Sequence, residues 1–206
     1  MNEQKEAVFT AEEFLVSRRS VRQYEKGHVL SDEELNELLE LASRAPSSWN
    51  LQHWRYFVIR DQANKERLLP IAYGQQQVVD ASAVVVVLGD LEANKVAPDV
   101  FAEAEPRIRD MMIQQIEGAY ANNPALARDE AVRNGSLAAM QLMLAARAKG
   151  YDTVPMGGYD QNAFVREFKV PERYIPVVMI PIGKAAQPGR ETGRLPLAHQ
   201  VFHESF

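Results

Sequence analysis

The chain has 206 residues, of which 46% are hydrophobic and 25% are charged, and its formal net charge is −5. A negative net charge argues against a nucleic-acid-binding surface, because such a surface needs broad basic coverage. The sequence contains no cysteine, which excludes disulfide bonds, thiolate nucleophiles and cysteine-ligated metals.

The strongly apolar runs at 83–88 and 177–180 are far too short to cross a membrane. Residues 1–5 are polar and lack the apolar core of a signal peptide. We therefore expect a cytoplasmic protein with no membrane or nucleic-acid partner. The length suits one domain over residues 1–206, and no repeat, low-complexity segment or linker divides it.

The first half of the chain predicts two helices and two strands. Two capping-box patterns, each a hydroxyl residue followed three positions later by glutamate, predict helices over about 11–17 and from 32 to a point before Pro46. Aromatic and β-branched residues at 54–59 predict a strand. The valine run at 83–88 predicts a strand buried on both faces, in the middle of a sheet.

The second half is mostly helical. A pattern with interspersed charges predicts a helix over about 99–120, and an alanine-rich helix follows over about 125–149 and ends at Gly150. The alanine-rich helix has apolar residues on more than one face, so we expect it to be buried. A second subunit is one candidate for the surface that packs against it. The stripe of this helix includes Leu137, Met140 and Leu144. Residues 177–182 predict the last core strand.

Positive charge is concentrated in one run of six residues, Ser17-Arg18-Arg19-Ser20-Val21-Arg22. Arginine presents a planar fork of donors that matches phosphate oxygens in pairs, and serine adds a short hydroxyl donor. Such a cluster suits one compact dianion, for example the terminal phosphate of a nucleotide or flavin. The alternative is that these residues solvate the end of the preceding helix and favour its dipole.

Three further runs suit a flat, phosphorylated ligand, and each also has a plain structural explanation. The loop 45–52 offers amide and hydroxyl groups that pair with a heterocycle edge, or it is a polar turn. The paired glycines within 154–159 let backbone approach a ring closely, or they belong to an ordinary loop. Either a phosphate site or a solvated surface explains the positive charges of Lys184, Arg190 and Arg194.

Other chemistries lack support in the sequence. Of the four histidines, only His199 and His203 have a spacing at which two residues share a metal, and a surface tail explains them better. The Gly-x-Ser-x-Gly elbow, the P-loop and the dinucleotide-binding glycine pattern are all absent. We expect no metal site, and a phosphate would have to be held by side chains.

Five runs, taken in order, resemble the FMN-dependent nitroreductase family over residues 14–196. They are Arg18-Arg19-Ser20-Val21-Arg22, Pro46-Ser47-Ser48-Trp49-Asn50-Leu51-Gln52-His53-Trp54, Asp80-Ala81-Ser82, Val154-Pro155-Met156-Gly157-Gly158-Tyr159 and Gly193-Arg194-Leu195-Pro196. The resemblance implies an α+β fold, in which helices wrap a central, mostly antiparallel sheet. It also implies an intertwined homodimer with two FMN molecules at the subunit interface.

The resemblance assigns roles to residues of this chain. It implies phosphate ligands at Arg18, Ser20 and Arg194, with Arg19 near the phosphate or ribityl chain. It implies contacts to the pyrimidine edge, around N1 and O2, from Arg22 and Gln77. From the partner subunit it implies contacts by Pro46, Ser47, Ser48 and Asn50, with Gln52 close by. Gly157 and Gly158 would cover the ring face, with a backbone N–H donated to N5, and the adjacent Pro155 and Met156 are also implied as cofactor-binding residues.

The sequence departs from the family pattern at two positions. His53 stands where the family very often has proline, and Gln77 stands where better-known members carry lysine. Less positive charge would therefore face the reduced ring, which shifts the reduction potential. Residues 93–120 fall where family members differ most and help to form the substrate pocket, so the choice of acceptor does not carry over.

The implied function is an FMN-dependent oxidoreductase. Hydride would pass from NAD(P)H through flavin N5 to a nitroaromatic, a quinone or a related small acceptor by a ping-pong mechanism, with no side-chain nucleophile or metal. Arg22 and Gly158 would assist, and no side chain would be catalytic. The alternatives are a specialised flavoenzyme on the same fold, such as a dehalogenase or a flavin-cleaving enzyme, and a non-catalytic flavin-binding or sensory protein.

Overall fold

A computed structural model describes residues 10–205, so the prediction for residues 1–5 lies outside the described residues. The helices are α1 (Ala11–Ser17), α2 (Asp32–Ala42), α3 (Gln62–Ile71), α4 (Gln77–Asp80), α5 (Ala97–Val100), α6 (Pro106–Tyr120), α7 (Pro124–Ala148) and α8 (Gln161–Glu167). The strands are β1 (Trp54–Ile59), β2 (Ala83–Asp90), β3 (Asp152–Thr153) and β4 (Tyr174–Gly183). Short 3₁₀ turns occur at Ser48–Asn50, Ala93–Val96 and Leu197–His199.

The four strands form one sheet in the order β1-β2-β4-β3, and every neighbouring pair is antiparallel. All eight residues of β2 are buried, as the valine run predicts for a central strand. The register of β2 and β4 shifts between Val87 and Leu88, where the two strands are irregular. The predicted α+β class, with an antiparallel sheet between helices, is confirmed.

The sheet separates two apolar cores. Side chains of successive residues in a strand point to opposite faces. Val85 and Val87 therefore pack with α2 and α7, whereas Val84, Val86 and Leu88 pack with α3, α4 and α8. A third cluster joins the 46–52 loop to the segment between β2 and α7, and its buried members are Leu51, Ala93, Ala97, Ile116, Tyr120 and Ala127.

Both predicted capping boxes are present. The Thr10 hydroxyl accepts from the backbone of Glu13 at the start of α1, and Ser31 does the same for Glu34 at the start of α2. The predicted end of the long helix α7 is also present. Gly150 follows α7 with a φ of 72°, the left-handed conformation of a glycine that ends a helix. These boundaries follow from local hydrogen bonding, which is why the sequence predicts them.

The prediction of one helix over 99–120 is wrong, because the segment holds two helices. Pro106 opens α6, and the residue before a proline avoids helical geometry, so α5 cannot continue into it. The Glu105 carboxylate then accepts from the N–H groups of Arg107 and Ile108 and caps the new helix. The sequence reading also missed α3, whose interior Pro70 is typical of a helix break.

The apolar stripe predicted for the long helix is only partly buried in this chain. Leu137 and Met140 are 43% and 42% exposed, and the positions that pack in the core are their neighbours Ala138, Leu142 and Met143. The face of α7 that carries Leu137 and Met140 is therefore left uncovered by the described residues. No helix within residues 10–205 combines the length and apolar character needed to span a bilayer.

Candidate functional site

The arginine run, residues 18–22, leaves α1 as an extended segment beside β3. Ser20 forms a parallel bridge with Thr153, and the Val21 N–H donates to the Thr153 carbonyl at 3.0 Å. The glycine run, residues 154–158, begins directly after Thr153 and is tied to β4 by two backbone hydrogen bonds between Met156 and Met179. The structure thus brings together two runs that are far apart in sequence.

The arginines of this run differ in their environments. Nη1 of Arg18 is buried and has no hydrogen-bond partner within the described chain. The guanidinium of Arg19 instead donates to the carbonyls of Val16 and Arg18, at the C-terminal end of α1. Arg22 is exposed. The helix-end explanation therefore applies to Arg19, whereas Arg18 holds an unused donor that a buried position makes costly.

A polar cavity of about 520 Å³ lies where the arginine run meets the C-terminal loop. Its lining residues are Ser20, Arg22, Gln23, Gln187, Pro188, Gly189 and Arg190. The loop lies very close to the run, because a Cβ atom at Gly189 would stand 2.7 Å from Cβ of Arg19 and 2.9 Å from the Ser20 carbonyl oxygen. Two arginines and a hydroxyl therefore share one cavity.

Of the three C-terminal cations that the sequence singles out, Arg190 lines this cavity. Lys184 donates to the Gly150 carbonyl at 2.7 Å and lies 4.0 Å from the centre of the Tyr151 ring. Arg194 is exposed, and its described hydrogen bonds run to its chain neighbours Thr192 and Gly193. The role of Arg194 as a phosphate ligand stays a prediction.

The glycine run presents an open backbone surface. Gly157 and Gly158 are exposed, and a Cβ atom at either position would meet no atom within 4 Å. Pro155 is also exposed, whereas Met156 is buried below it. A flat ligand has direct access to this backbone, as close stacking on a ring requires.

Two glutamines join this surface to α4. Nε2 of Gln75 donates to the Gly158 carbonyl at 2.8 Å, and Nε2 of Gln77 donates to Oε1 of Gln75 at 3.2 Å. The same Gln77 nitrogen lies 3.7 Å from the sulfur of Met156. Gln77 therefore lies against the glycine run, and its contact with the pyrimidine edge stays a prediction. Gln75 was missed, and nothing in its local sequence distinguishes it from the adjacent Gln76.

The backbone carbonyl at the end of this chain of hydrogen bonds fixes the amide orientations. A carbonyl only accepts, so Gln75 must turn its NH₂ group to Gly158 and its oxygen to Gln77. Gln77 must then use its NH₂ group toward Gln75. This buried side chain therefore brings a neutral amide, and no cation, to the glycine run.

The 46–52 loop is held in an unusual backbone conformation. Trp49, Asn50 and Gln52 have φ values of 50°, 55° and 47°, a region that non-glycine residues rarely adopt. Within the loop, the Ser47 hydroxyl accepts from the Gln52 N–H, and the Gln52 side chain donates to the Asn50 carbonyl. Pro46, with Asn50 and Gln52, is exposed.

The hydrogen bonds described for residues 10–205 include none that joins the 46–52 loop to the arginine or glycine runs. Ser48 instead contacts α7, where its N–H donates to Oδ1 of Asn134 at 2.9 Å and its hydroxyl donates to Glu130. Sequence reasoning missed both anchors. Glu130 and Asn134 lie four positions apart on one face of α7, but nothing local distinguishes them from the exposed Asp129 and Arg133 beside them.

His53, one of the departures from the family pattern, is fully buried behind the loop. Its Nε2 lies 2.8 Å from the Tyr120 hydroxyl, which joins the start of β1 to the end of α6. Burial lowers the pKa of His53 and raises the pKa of Tyr120 to about 12, so both groups are neutral near pH 7. His53 therefore adds no positive charge here.

The chain is similar to several known proteins. The profile of the Nitroreductase family matches residues 15–184. A protein of Bacillus subtilis (strain 168), "Putative NAD(P)H nitroreductase YodC", is 48% identical over 190 residues, covering 89% of this chain and 94% of that protein. The "CLA biosynthesis enone reductase" of Lactiplantibacillus plantarum is 33% identical over 190 residues, covering 87% and 88%.

A solved structure from Exiguobacterium sibiricum 255-15, a "putative nitroreductase in complex with FMN", has the same fold. It superposes with a TM-score of 0.90 at 36% identity and covers 97% of this chain and 99% of that chain. The profile match spans both the arginine run and the glycine run. This chain belongs to the nitroreductase family.

Proposed function

We propose that this chain is an FMN-dependent oxidoreductase that uses NAD(P)H to reduce small acceptors such as nitroaromatics or quinones. The observation that carries the proposal is the buried, unpartnered Arg18 nitrogen, in the same run as the cavity-lining Ser20 and Arg22. The nitroreductase and enone reductase names of the relatives support a reductase, and the FMN of the Exiguobacterium structure supports this cofactor.

A phosphate dianion matches the donors of the arginine run. It would accept from Arg18, whose buried Nη1 lacks a partner, and from the Ser20 hydroxyl. Arg190, which lines the same cavity as Ser20, would supply a second positive charge. Arg194 remains a proposed ligand of the same phosphate. Arg19 would act near the phosphate through its neighbours, because its guanidinium already binds the end of α1.

When bound, FMN supplies two-electron redox chemistry, accepting hydride from NAD(P)H and then reducing an acceptor on the same face in a ping-pong cycle. The chain supplies placement and charge. Gly157 and Gly158 leave backbone open to a flat ring. Arg22 would set a fixed positive charge at the pyrimidine edge, where negative charge develops, and Gln77 would contact the same edge without adding a charge.

We also propose the homodimer, with the 46–52 loop serving the cofactor of the partner subunit. No residue of α1 is buried in this chain, and its Leu15 and Val16 are 58% and 68% exposed. Leu137 and Met140 of α7 are exposed as well. Burial of such apolar surface drives association, and it would bring the loop of one chain to the arginine run of the other.

The chain would work as one domain, since its two main cores share one sheet. A cytoplasmic location fits a chain without cysteine. Turnover with menadione or nitrofurazone distinguishes a general reductase from a specialised flavoenzyme. The enone reductase relative makes an activated alkene a further acceptor to test. A protein that binds FMN but accepts no hydride from NADH or NADPH would be a non-catalytic flavoprotein.

The proposal is tested by the visible spectrum of the purified protein, followed by anaerobic titration with NADH and with NADPH. We expect a yellow protein that bleaches with at least one nicotinamide. Arg18→Ala should lower FMN content, whereas Arg60→Ala, which removes a surface arginine paired with Asp32, should not. A colourless protein that takes up no added FMN, or equal FMN content in both variants, would refute the proposal.

A further inference from the structure

The 46–52 loop, which we propose serves the cofactor of the partner subunit, stores backbone strain. Asparagine tolerates a left-handed conformation, but the bulky Trp49 at a φ of 50° is an outlier. Such conformations persist only where the surrounding structure determines them, and they concentrate at functional sites. The question is therefore which contacts hold this loop.

Two side chains of α7 hold Ser48, the residue directly before Trp49. Asn134 accepts from the Ser48 backbone N–H at 2.9 Å, and Glu130 accepts from the Ser48 hydroxyl. The Asn134 amide also donates to the Glu130 side chain at 2.8 Å and to the Glu130 carbonyl at 2.7 Å. Residues four positions apart lie on one face of a helix, so both reach the same residue.

The carboxylate of this pair is a buried charge. Glu130 is 6% exposed and Asn134 is 1% exposed. Burial opposes ionisation of Glu130, but hydrogen bonds from Ser48 and Asn134 and the charge of Arg133 outweigh it, and its pKa lies below the ordinary value of 4.5. Glu130 is therefore a charged acceptor near neutral pH. The proposed redox chemistry does not use this charge, so its role lies in the contacts it makes.

We propose that Glu130 and Asn134 are positioning residues that hold the 46–52 loop, through Ser48, in the strained conformation that presents Asn50 and Gln52 to the cofactor. The inference rests on the proposed function. The two anchors fix the backbone at Ser48, directly before the first left-handed residue. The Trp49 ring also packs against Tyr120, with 6.4 Å between the ring centres, and this contact further restrains the loop. The exposed amides are thereby oriented before any ligand arrives.

The test compares Glu130→Ala, Glu130→Gln and Ser48→Ala by the FMN dissociation constant, measured from quenching of flavin fluorescence. Alanine at either position should weaken FMN binding by about tenfold or more, because the loop loses its anchor. Glutamine retains an acceptor for Ser48 and should recover most of the affinity. The Glu130→Ala, Ser48→Ala double variant should bind no more weakly than Glu130→Ala alone, since that variant already removes the hydrogen bond from the Ser48 hydroxyl.

Two controls separate positioning from general loss of stability. Asp129→Ala changes an exposed carboxylate next to Glu130 and should leave FMN affinity unchanged. Leu38→Ala opens a cavity in the core beside α2 and should lower Tm without weakening FMN binding. If Leu38→Ala weakens FMN binding as much as Glu130→Ala does, the effect reports stability and the inference is overturned.

A second readout does not involve FMN. The chain has two tryptophans, so Trp54→Phe leaves Trp49 as the reporter of the loop. In that background, Glu130→Ala should shift the Trp49 emission to longer wavelength. Wild-type protein that binds no FMN would sink the proposed function, whereas unchanged FMN affinity and unchanged Trp49 emission in Glu130→Ala would sink the positioning inference alone.

Discussion

Replacing Gly189 by alanine should disturb the proposed phosphate site without disturbing the fold. Gly189 lies outside the positive-φ region, so alanine meets no backbone penalty there. Its added Cβ atom would stand 2.7 Å from Cβ of Arg19 and 2.9 Å from the Ser20 oxygen. Carbon atoms in contact lie about 3.5 Å apart, so the loop and the arginine run must separate by roughly 0.8 Å.

That displacement opens the cavity between Ser20 and Arg190. A misplacement of this size at a binding site weakens contacts to a fixed ligand, and we expect the FMN dissociation constant to rise about tenfold, or about 1.4 kcal/mol. The C-terminal loop lies on the surface and can move, so the strain should cost little stability and lower Tm by less than about 4 °C.

The assay is fluorescence titration of apoprotein with FMN, with Tm from circular dichroism. Gly193→Ala is the matched control, because it changes the same loop and its Cβ atom would meet nothing within 4 Å. It should bind FMN like the wild type. If Gly189→Ala also binds FMN as tightly as the wild type, the close approach of this loop does not shape the phosphate site.

Three further predictions concern stability and redox potential. Because burial lowers the pKa of His53 below its ordinary 6.5, the folded state keeps it neutral, and the free energy of unfolding should fall as pH drops below about 6.5. Urea unfolding should show this fall flattened in His53→Gln. Gly89→Ala would place its Cβ atom 2.8 Å from a backbone oxygen of α7 and should lower the free energy of unfolding by about 2 kcal/mol. Gly118→Ala, at an exposed position of α6, should raise the free energy of unfolding by about 0.5–1 kcal/mol. Changes of the same sign in the two variants, measured by urea unfolding, would contradict this. Gln77→Lys should raise the midpoint potential of bound FMN by about 30 mV or more, measured by dye equilibration, and an equal rise in the exposed Gln76→Lys would disprove a local effect.

The departures from expectation have a common origin. The arginine run reads as one cluster in the sequence, yet Arg19 binds the end of α1 while the adjacent Arg18 keeps a buried, unpartnered donor. Likewise, Arg190 lines the cavity, whereas Lys184 binds the Gly150 carbonyl. These positively charged residues differ in role because their side chains contact different parts of the fold.

The sequence alone determined what depends on near neighbours along the chain. Capping residues set the starts of α1 and α2 because each cap bonds within its own first turn, and the valine run predicted a central strand because both its faces are apolar. The ordered runs identified the family. Only the tertiary structure decided the contacts of Gln75 with Gly158 and of Glu130 with Ser48, because these join residues distant in sequence, and nothing local distinguishes those side chains from solvated ones.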